Sequence, residues 1–92
     1  MAVEVRIPTI LRTYTDGEKA VTGSGATLAD LLDDLESRHS GLQARLLDEG
    51  KLRRFVNVYL NDEDVRFLDG LATPVREGDV VTVLPAVAGG AR

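Results

Sequence analysis

The sequence predicts an α+β fold, a mixed sheet of four to five strands curled around one main helix. Three observations predict it. A single stripe of four leucines falls at helical spacing, and it can cover only one face of one sheet. Short stretches with strand patterning lie on both sides of that helix. The chain has 92 residues, enough for one small domain and no second core.

Val3-Glu4-Val5-Arg6-Ile7 alternates apolar and polar residues, the pattern of a half-buried strand. Pro8 ends its regular pairing because it has no N–H to donate. Residues 9–15 read as a connecting loop, and Asp16-Gly17 as a hairpin turn. Residues 19–22 form the return strand, and Gly23-Ser24-Gly25 breaks it. Thr27 is a helix N-cap, and Asp30 three residues on completes an arrangement like a capping box. Leu28, Leu31, Leu32 and Leu35 then make the apolar stripe, with Asp33, Asp34, Glu36 and Arg38 off it. The helix ends near His39-Ser40, with Gly41 as a left-handed stop.

Leu42, Leu46 and Leu47 suggest a short second helical turn, and residues 48–51 a polar loop. Phe55-Val56-Asn57-Val58-Tyr59-Leu60 is the strongest strand in the middle of the chain. Asn61-Asp62 turns it, and Asp64-Val65-Arg66 pairs back briefly. Residues 71–75 read as a tight turn or a single helical turn, and Arg76-Glu77-Gly78-Asp79 as a turn. Residues 80–84 are nearly all apolar, as expected of a central strand covered on both faces. The order of elements matches the ubiquitin-like β-grasp.

Composition narrows the chemistry. Hydrophobic residues make up 43% and aromatics 4%, so Leu and Val must supply most of the core. Net charge is −4, which argues against non-specific nucleic-acid binding and suits a protein that meets basic partner surfaces. The absence of Cys excludes disulfides, thiolate metal sites and thiol nucleophiles. The amino terminus shows no apolar signal region and no run is long enough to cross a membrane, so a cytoplasmic protein is expected.

The chain is organised around its end. The strand 80–84 runs into Pro85-Ala86-Val87-Ala88-Gly89-Gly90, with Ala91-Arg92 after it. The reading divides the chain into a β-grasp domain over 1–84 and a flexible tail over 85–92. Gly89 and Gly90 have no Cβ, so the backbone there can approach a buried partner closely. Ala86 and Ala88 keep the segment narrow, and Pro85 stiffens its exit. Leu84 and Val87 can serve as apolar anchors on a partner. Taken alone, a Gly-rich terminus is equally a frayed end.

Asn61-Asp62, Leu71, Glu77-Gly78-Asp79-Val80-Val81 and Leu84-Pro85-Ala86-Val87-Ala88-Gly89-Gly90 together resemble the ending of the MoaD/ThiS sulfur-carrier family. Residues 6–12 and 54–66 look more like the CysO branch, whose carriers serve a cysteine synthase. The resemblance implies that the carboxylate of Gly90 is the reacting group. In that family an activating enzyme of the MoeB/ThiF kind adenylates it with ATP and magnesium, and sulfide converts the adenylate to a thiocarboxylate. The implied carrier is no enzyme and binds no cofactor or metal of its own; Leu84, Pro85, Val87, Ala88 and Gly89 are its partner-binding residues. A PLP-dependent cysteine synthase is the implied sulfur acceptor.

Two departures stand out. Asn-Asp replaces the family's usual Asn-Gly turn, a change Asp tolerates. Gly90 is amide-bonded to Ala91, so it cannot be activated until Ala91-Arg92 is removed. A precursor trimmed between Gly90 and Ala91 by a JAMM-type metalloprotease, a cloning remnant, and a lost carrier role all account for the two residues. A protein modifier joined to lysines through Gly90 and a non-covalent β-grasp interaction module are the functional alternatives.

Other residues carry less. His39 stands alone with no carboxylate at metal spacing, and reads as a surface residue at a helix end. Asn61-Asp62-Glu63-Asp64 is acidic, but position six from Asn61 is Arg66 and position twelve is Ala72, so the calcium-loop pattern fails. A solvated turn is the better reading, with contact to a basic patch on the activating enzyme as a hypothesis. Arg53-Arg54 reads as a strand edge or partner contact.

Overall fold

The structure, a computed structural model, describes residues 2–54 and 56–85. Strand β1 (Val3–Arg6) pairs antiparallel with β2 (Ala20–Gly23), with Val5 opposite Val21. Helix α1 (Leu28–Arg38) follows, then the short α2 (Leu42–Leu46). Strands β3 (Leu47–Asp48) and β4 (Lys51–Leu52) form a separate two-stranded hairpin. Strands β5 (Val56–Leu60), β6 (Glu63–Asp64) and β7 (Val80–Pro85) complete a five-stranded sheet in the order β2-β1-β7-β5-β6. β1 and β7 run parallel and the other pairs antiparallel. This is a mixed sheet curled around one main helix, as the element order predicts.

The leucine stripe packs where its spacing places it. Leu28, Leu31, Leu32 and Leu35 are all buried, in one cluster with Val3, Val5, Val58, Val81 and Val83 of the sheet. Leu42 and Leu46 of α2 extend that core. The Thr27 hydroxyl accepts from the Asp30 N–H at 3.3 Å, capping α1. Only this half of the expected capping box is made among the described residues; Asp30 is one methylene shorter than the Glu that completes such boxes. The helix start is also pinned to residues 73–75, by Leu28 N–H to the Thr73 carbonyl at 2.9 Å and Val75 N–H to the Ala26 carbonyl at 3.1 Å.

Several elements differ from expectation. Residues 9–15 form a 3-10 helix, Thr9–Thr15, instead of a plain loop. Pro8, at φ −68°, leads into it, and the turn buries Leu11. The buried Thr15 hydroxyl bonds to the Glu18 carbonyl at 2.9 Å, so nothing polar is left unpaired there. Gly23 does not break β2 but ends it. A Cβ at Gly23 would sit 2.9 Å from Leu31 Cδ1, so the missing side chain lets the strand lie against α1. Residues 48–51 close the β3–β4 hairpin, with Glu49 and Gly50 both at positive φ (53° and 77°), the signature of a two-residue primed turn.

The last strand is central, but it is covered on one face only. Val81 and Val83 are buried, Val80 and Thr82 half-buried, and Leu84 is 44% exposed. A continuous apolar run predicts two covered faces; here one main helix covers one, and the other stays open. β7 also runs one residue further than its apolar pattern, with Pro85 opposite Val56. A proline is tolerated at the terminal pair because its missing N–H costs little ladder there. No helix among the described residues is long and apolar enough to cross a membrane.

Candidate functional site

The candidate site is the strand that leads to the carboxyl segment, held at its start by side-chain hydrogen bonds and exposed at Leu84 and Pro85. Its start is clasped by two side chains from distant turns. The Asn61 amide Nδ2 donates to Asp79 Oδ1 at 3.0 Å, and the Val80 N–H donates to Asn61 Oδ1 at 3.0 Å. Asp79 Oδ2 accepts from the Arg76 N–H at 2.8 Å, closing the 76–79 turn, in which Gly78 lies at φ 91°. The Asn turn and the Gly-Asp pair, sixteen to eighteen residues apart in sequence, are thus two halves of one clasp on β7.

The far end of β7 delivers Leu84 and Pro85. Asn57 lies opposite Leu84 and Val56 opposite Pro85. Arg66 reaches back along β5, its Nη1 donating to Asn57 Oδ1 at 2.7 Å and its Nη2 to the Val56 carbonyl. Asp64 lies 4.0 Å from the same guanidinium. The guanidinium therefore braces the strand against which Leu84 and Pro85 pair. Of the site residues expected from sequence, Leu84 and Pro85 are placed on this exposed strand end, adjacent and paired. Val87, Ala88, Gly89, Gly90 and Ala91 lie outside the described residues, as does Phe55.

Beside Leu84 an open groove of about 310 Å³ lies over the adjacent strands β7 and β1 and the segments that flank the β1–β2 connection. Its charged lining is Arg6, Arg12, Lys19 and Glu4. Glu4 holds Arg6 at 3.0 Å, and Arg12 Nε donates to the Ile7 carbonyl at 3.1 Å. Neither the clasp nor this cationic groove is foreseen in the sequence reading. The residues of the clasp are singled out there, but only the fold shows that they touch.

The remaining candidates resolve into structure. His39 is the half-buried C-cap of α1, its N–H bonded to the Leu35 carbonyl. Asn61 and Asp62 make the β5–β6 turn at φ 50° and 77°, a left-handed pair that explains why Asp can stand where Gly would. Among the described residues no group of three or more His, Asp or Glu is placed to hold a metal ion. Arg53 Nε donates to the Ala44 carbonyl at 3.0 Å, near the end of α2. Glu36 is held below the ordinary carboxylate range, because its oxygens accept from the backbone N–H groups of Gly41 and Gln43.

A five-stranded mixed sheet around one helix, with a central last strand leading into the carboxyl segment, defines a ubiquitin-like β-grasp protein. The chain belongs to the ThiS family, whose pattern matches residues 5–90. Over 93 aligned residues it is 59% identical to the sulfur carrier protein CysO of Mycobacterium tuberculosis, covering 98% of this chain and 100% of that protein. It superposes on a chain of the crystal structure of the Amycolatopsis orientalis BexX/CysO complex with a TM-score of 0.92 at 63% identity, covering 97% and 100% of the two chains. It is also 39% identical to small archaeal modifier protein 3 of Haloferax volcanii, over 98% of this chain and 100% of that one.

Proposed function

We propose that the protein is a cytoplasmic sulfur carrier whose reacting group is the carboxylate of Gly90, exposed by removal of Ala91-Arg92. The observation that supports this best is full-length similarity to CysO, with β7 clasped at its start and leading at its open end into the segment that carries Gly-Gly.

The chemistry follows from the carboxylate. Oxide is a poor leaving group, so sulfide cannot displace it directly. A partner of the MoeB/ThiF type joins the Gly90 carboxylate oxygen to the α-phosphorus of ATP and releases pyrophosphate, with magnesium balancing the phosphate charge. Sulfide sulfur then attacks the acyl carbon, the bond to the AMP oxygen breaks, and a thiocarboxylate remains. The chain contributes no base, nucleophile or cofactor to these steps. It contributes a side-chain-poor segment that reaches the nucleotide, and an anchored strand that presents it. The acceptor is a biosynthetic enzyme, such as a PLP-dependent cysteine synthase or one making a specialised sulfur metabolite. A JAMM-type metalloprotease is the proposed source of the Gly90 terminus.

The test is intact mass of the protein from its native cells. The expected species ends at Gly90 with one terminal oxygen replaced by sulfur. A chain retaining Ala91-Arg92 under sulfur demand would overturn the reading. The similarity to small archaeal modifier protein 3 favours one second reading, in which activated Gly90 acylates lysines of other proteins. Covalent ladders on unrelated proteins would mark that route, and a sulfur-bearing small molecule the carrier route.

A further inference from the structure

We infer that the cationic groove beside Leu84 is a docking site for an acidic segment of the protein that activates the carboxyl end. The inference rests on the carrier reading and names the chemistry of its partner.

The chain carries net charge −4, so an average partner surface for it would be basic. The groove is the reverse. Arg6, Arg12 and Lys19 line it against the single acid Glu4, which already holds Arg6. Arg12 donates to the Ile7 carbonyl, which orients its guanidinium on the groove wall. Lys19 is exposed and makes no ion pair among the described residues. Leu84, 44% exposed, forms the apolar part of the same lining and is the penultimate residue of β7. A segment seated here would contact the root of the carboxyl tail itself.

Besides Glu4, Glu18 adjoins Lys19 just before β2 but does not line the groove. Asp62, Glu63, Glu77 and Asp79 lie at the opposite end of β7, and Asp30, Asp33, Asp34 and Glu36 lie on α1. The exit end of β7 thus carries the cationic groove, while Asp62, Glu63, Glu77 and Asp79 outnumber Arg76 at the clasp end. A partner whose acidic segment flanks its nucleotide site would be steered towards this exit end. Complementary charge of this kind acts mainly on association rate and is screened by salt.

The experiment uses the chain ending at Gly90 and the MoeB/ThiF-type enzyme of the same organism, with ATP and magnesium. Acyl-adenylate formation is followed by intact mass at about 20 and about 500 mM salt. The unsubstituted chain should react faster at low salt. Lys19→Glu should slow the reaction about tenfold at low salt, through KM with kcat unchanged, and flatten the salt dependence. Lys19→Arg should restore the rate. Glu77→Gln, at the other end, should stay within about twofold. Lys19 bonds through its backbone and not its side chain, so the variant keeps the fold, which its melting temperature checks. An unchanged rate in Lys19→Glu, with normal adenylation of the unsubstituted chain, would overturn this inference alone. No adduct on the unsubstituted chain would overturn the carrier reading and this inference with it.

Discussion

Asn61 is a turn residue with a second task. Its amide satisfies Asp79 and the Val80 N–H together, so it fixes where β7 begins. Replacing it by Ala removes two hydrogen bonds and leaves a Cβ residue at φ 50° without the side chain that suits it to that region. The bonds are exposed, so each contributes at the low end of its range. Asn61→Ala should cost about 1–2 kcal/mol, read from the urea midpoint at constant slope. A loss near zero would mean that the β5–β7 ladder alone sets the register. Asp62 beside it sits at φ 77°, which an L side chain adopts at a cost. Asp62→Gly should raise stability by about 0.5–1 kcal/mol, since relief of that strain outweighs the extra freedom of Gly in the unfolded chain.

The two helices are coupled by one carboxylate. Glu36, near the end of α1, accepts the N–H of Gly41 at 2.9 Å and of Gln43 at 2.8 Å, and so caps the start of α2. Gly41 at φ 96° makes the reversal, and a Cβ there would lie 3.1 Å from Tyr14 Cδ1. The bonds favour the ionised form, so the folded pKa lies below its ordinary value of 4.5. A depressed carboxylate contributes stability above its unfolded pKa, and that contribution is lost as pH falls through the folded pKa. Glu36→Gln should therefore lower the melting temperature at pH 7. It should also flatten the fall in melting temperature below about pH 4.5 relative to the unsubstituted chain. Parallel curves for the two proteins would show that the cap does not titrate with folding.

At this scale it is also clear what the sequence could and could not reveal. The leucine stripe was legible because its periodicity is a local pattern that the core simply reads out. The β3–β4 hairpin was not, because two-residue strands offer too few positions to alternate. Gly23 reads as a breaker in sequence because its reason, the close approach of Leu31 that leaves no room for a Cβ, lies across the fold. The open second face of β7 is not legible, because an apolar run does not say how many layers will cover it. The Gly89-Gly90 pair is a local motif that the sequence displays by itself, whereas the groove formed by Arg6, Arg12 and Lys19 is not. Those three cations come together only when β1, the 3-10 helix and β2 are folded beside Leu84.

At the scale of the whole molecule, the described core and the proposed chemistry fall at different places along the chain. The core is built from α1, α2 and the covered face of the sheet, and the proposed chemistry lies beyond Pro85. Leu31 is fully buried, so Leu31→Ala should cost about 2–5 kcal/mol and lower the melting temperature by about 10 °C or more. Val83 is buried opposite Val58, and Val83→Asp should be worse, since it places an unpaired charge inside the cluster. Deleting Gly90 from the chain that ends there should do the opposite. The melting temperature should stay within about 2 °C, because no residue of the described core cluster is removed, while adenylation and thiocarboxylate formation fall to background. The comparison is decisive because the two outcomes are orthogonal. If deletion of Gly90 unfolds the domain, the carboxyl segment belongs to the core and cannot reach into a partner's active site. If the domain is intact and the shortened chain is still activated, the reacting carboxylate is not that of Gly90, and the spacing between β7 and the second glycine loses its meaning.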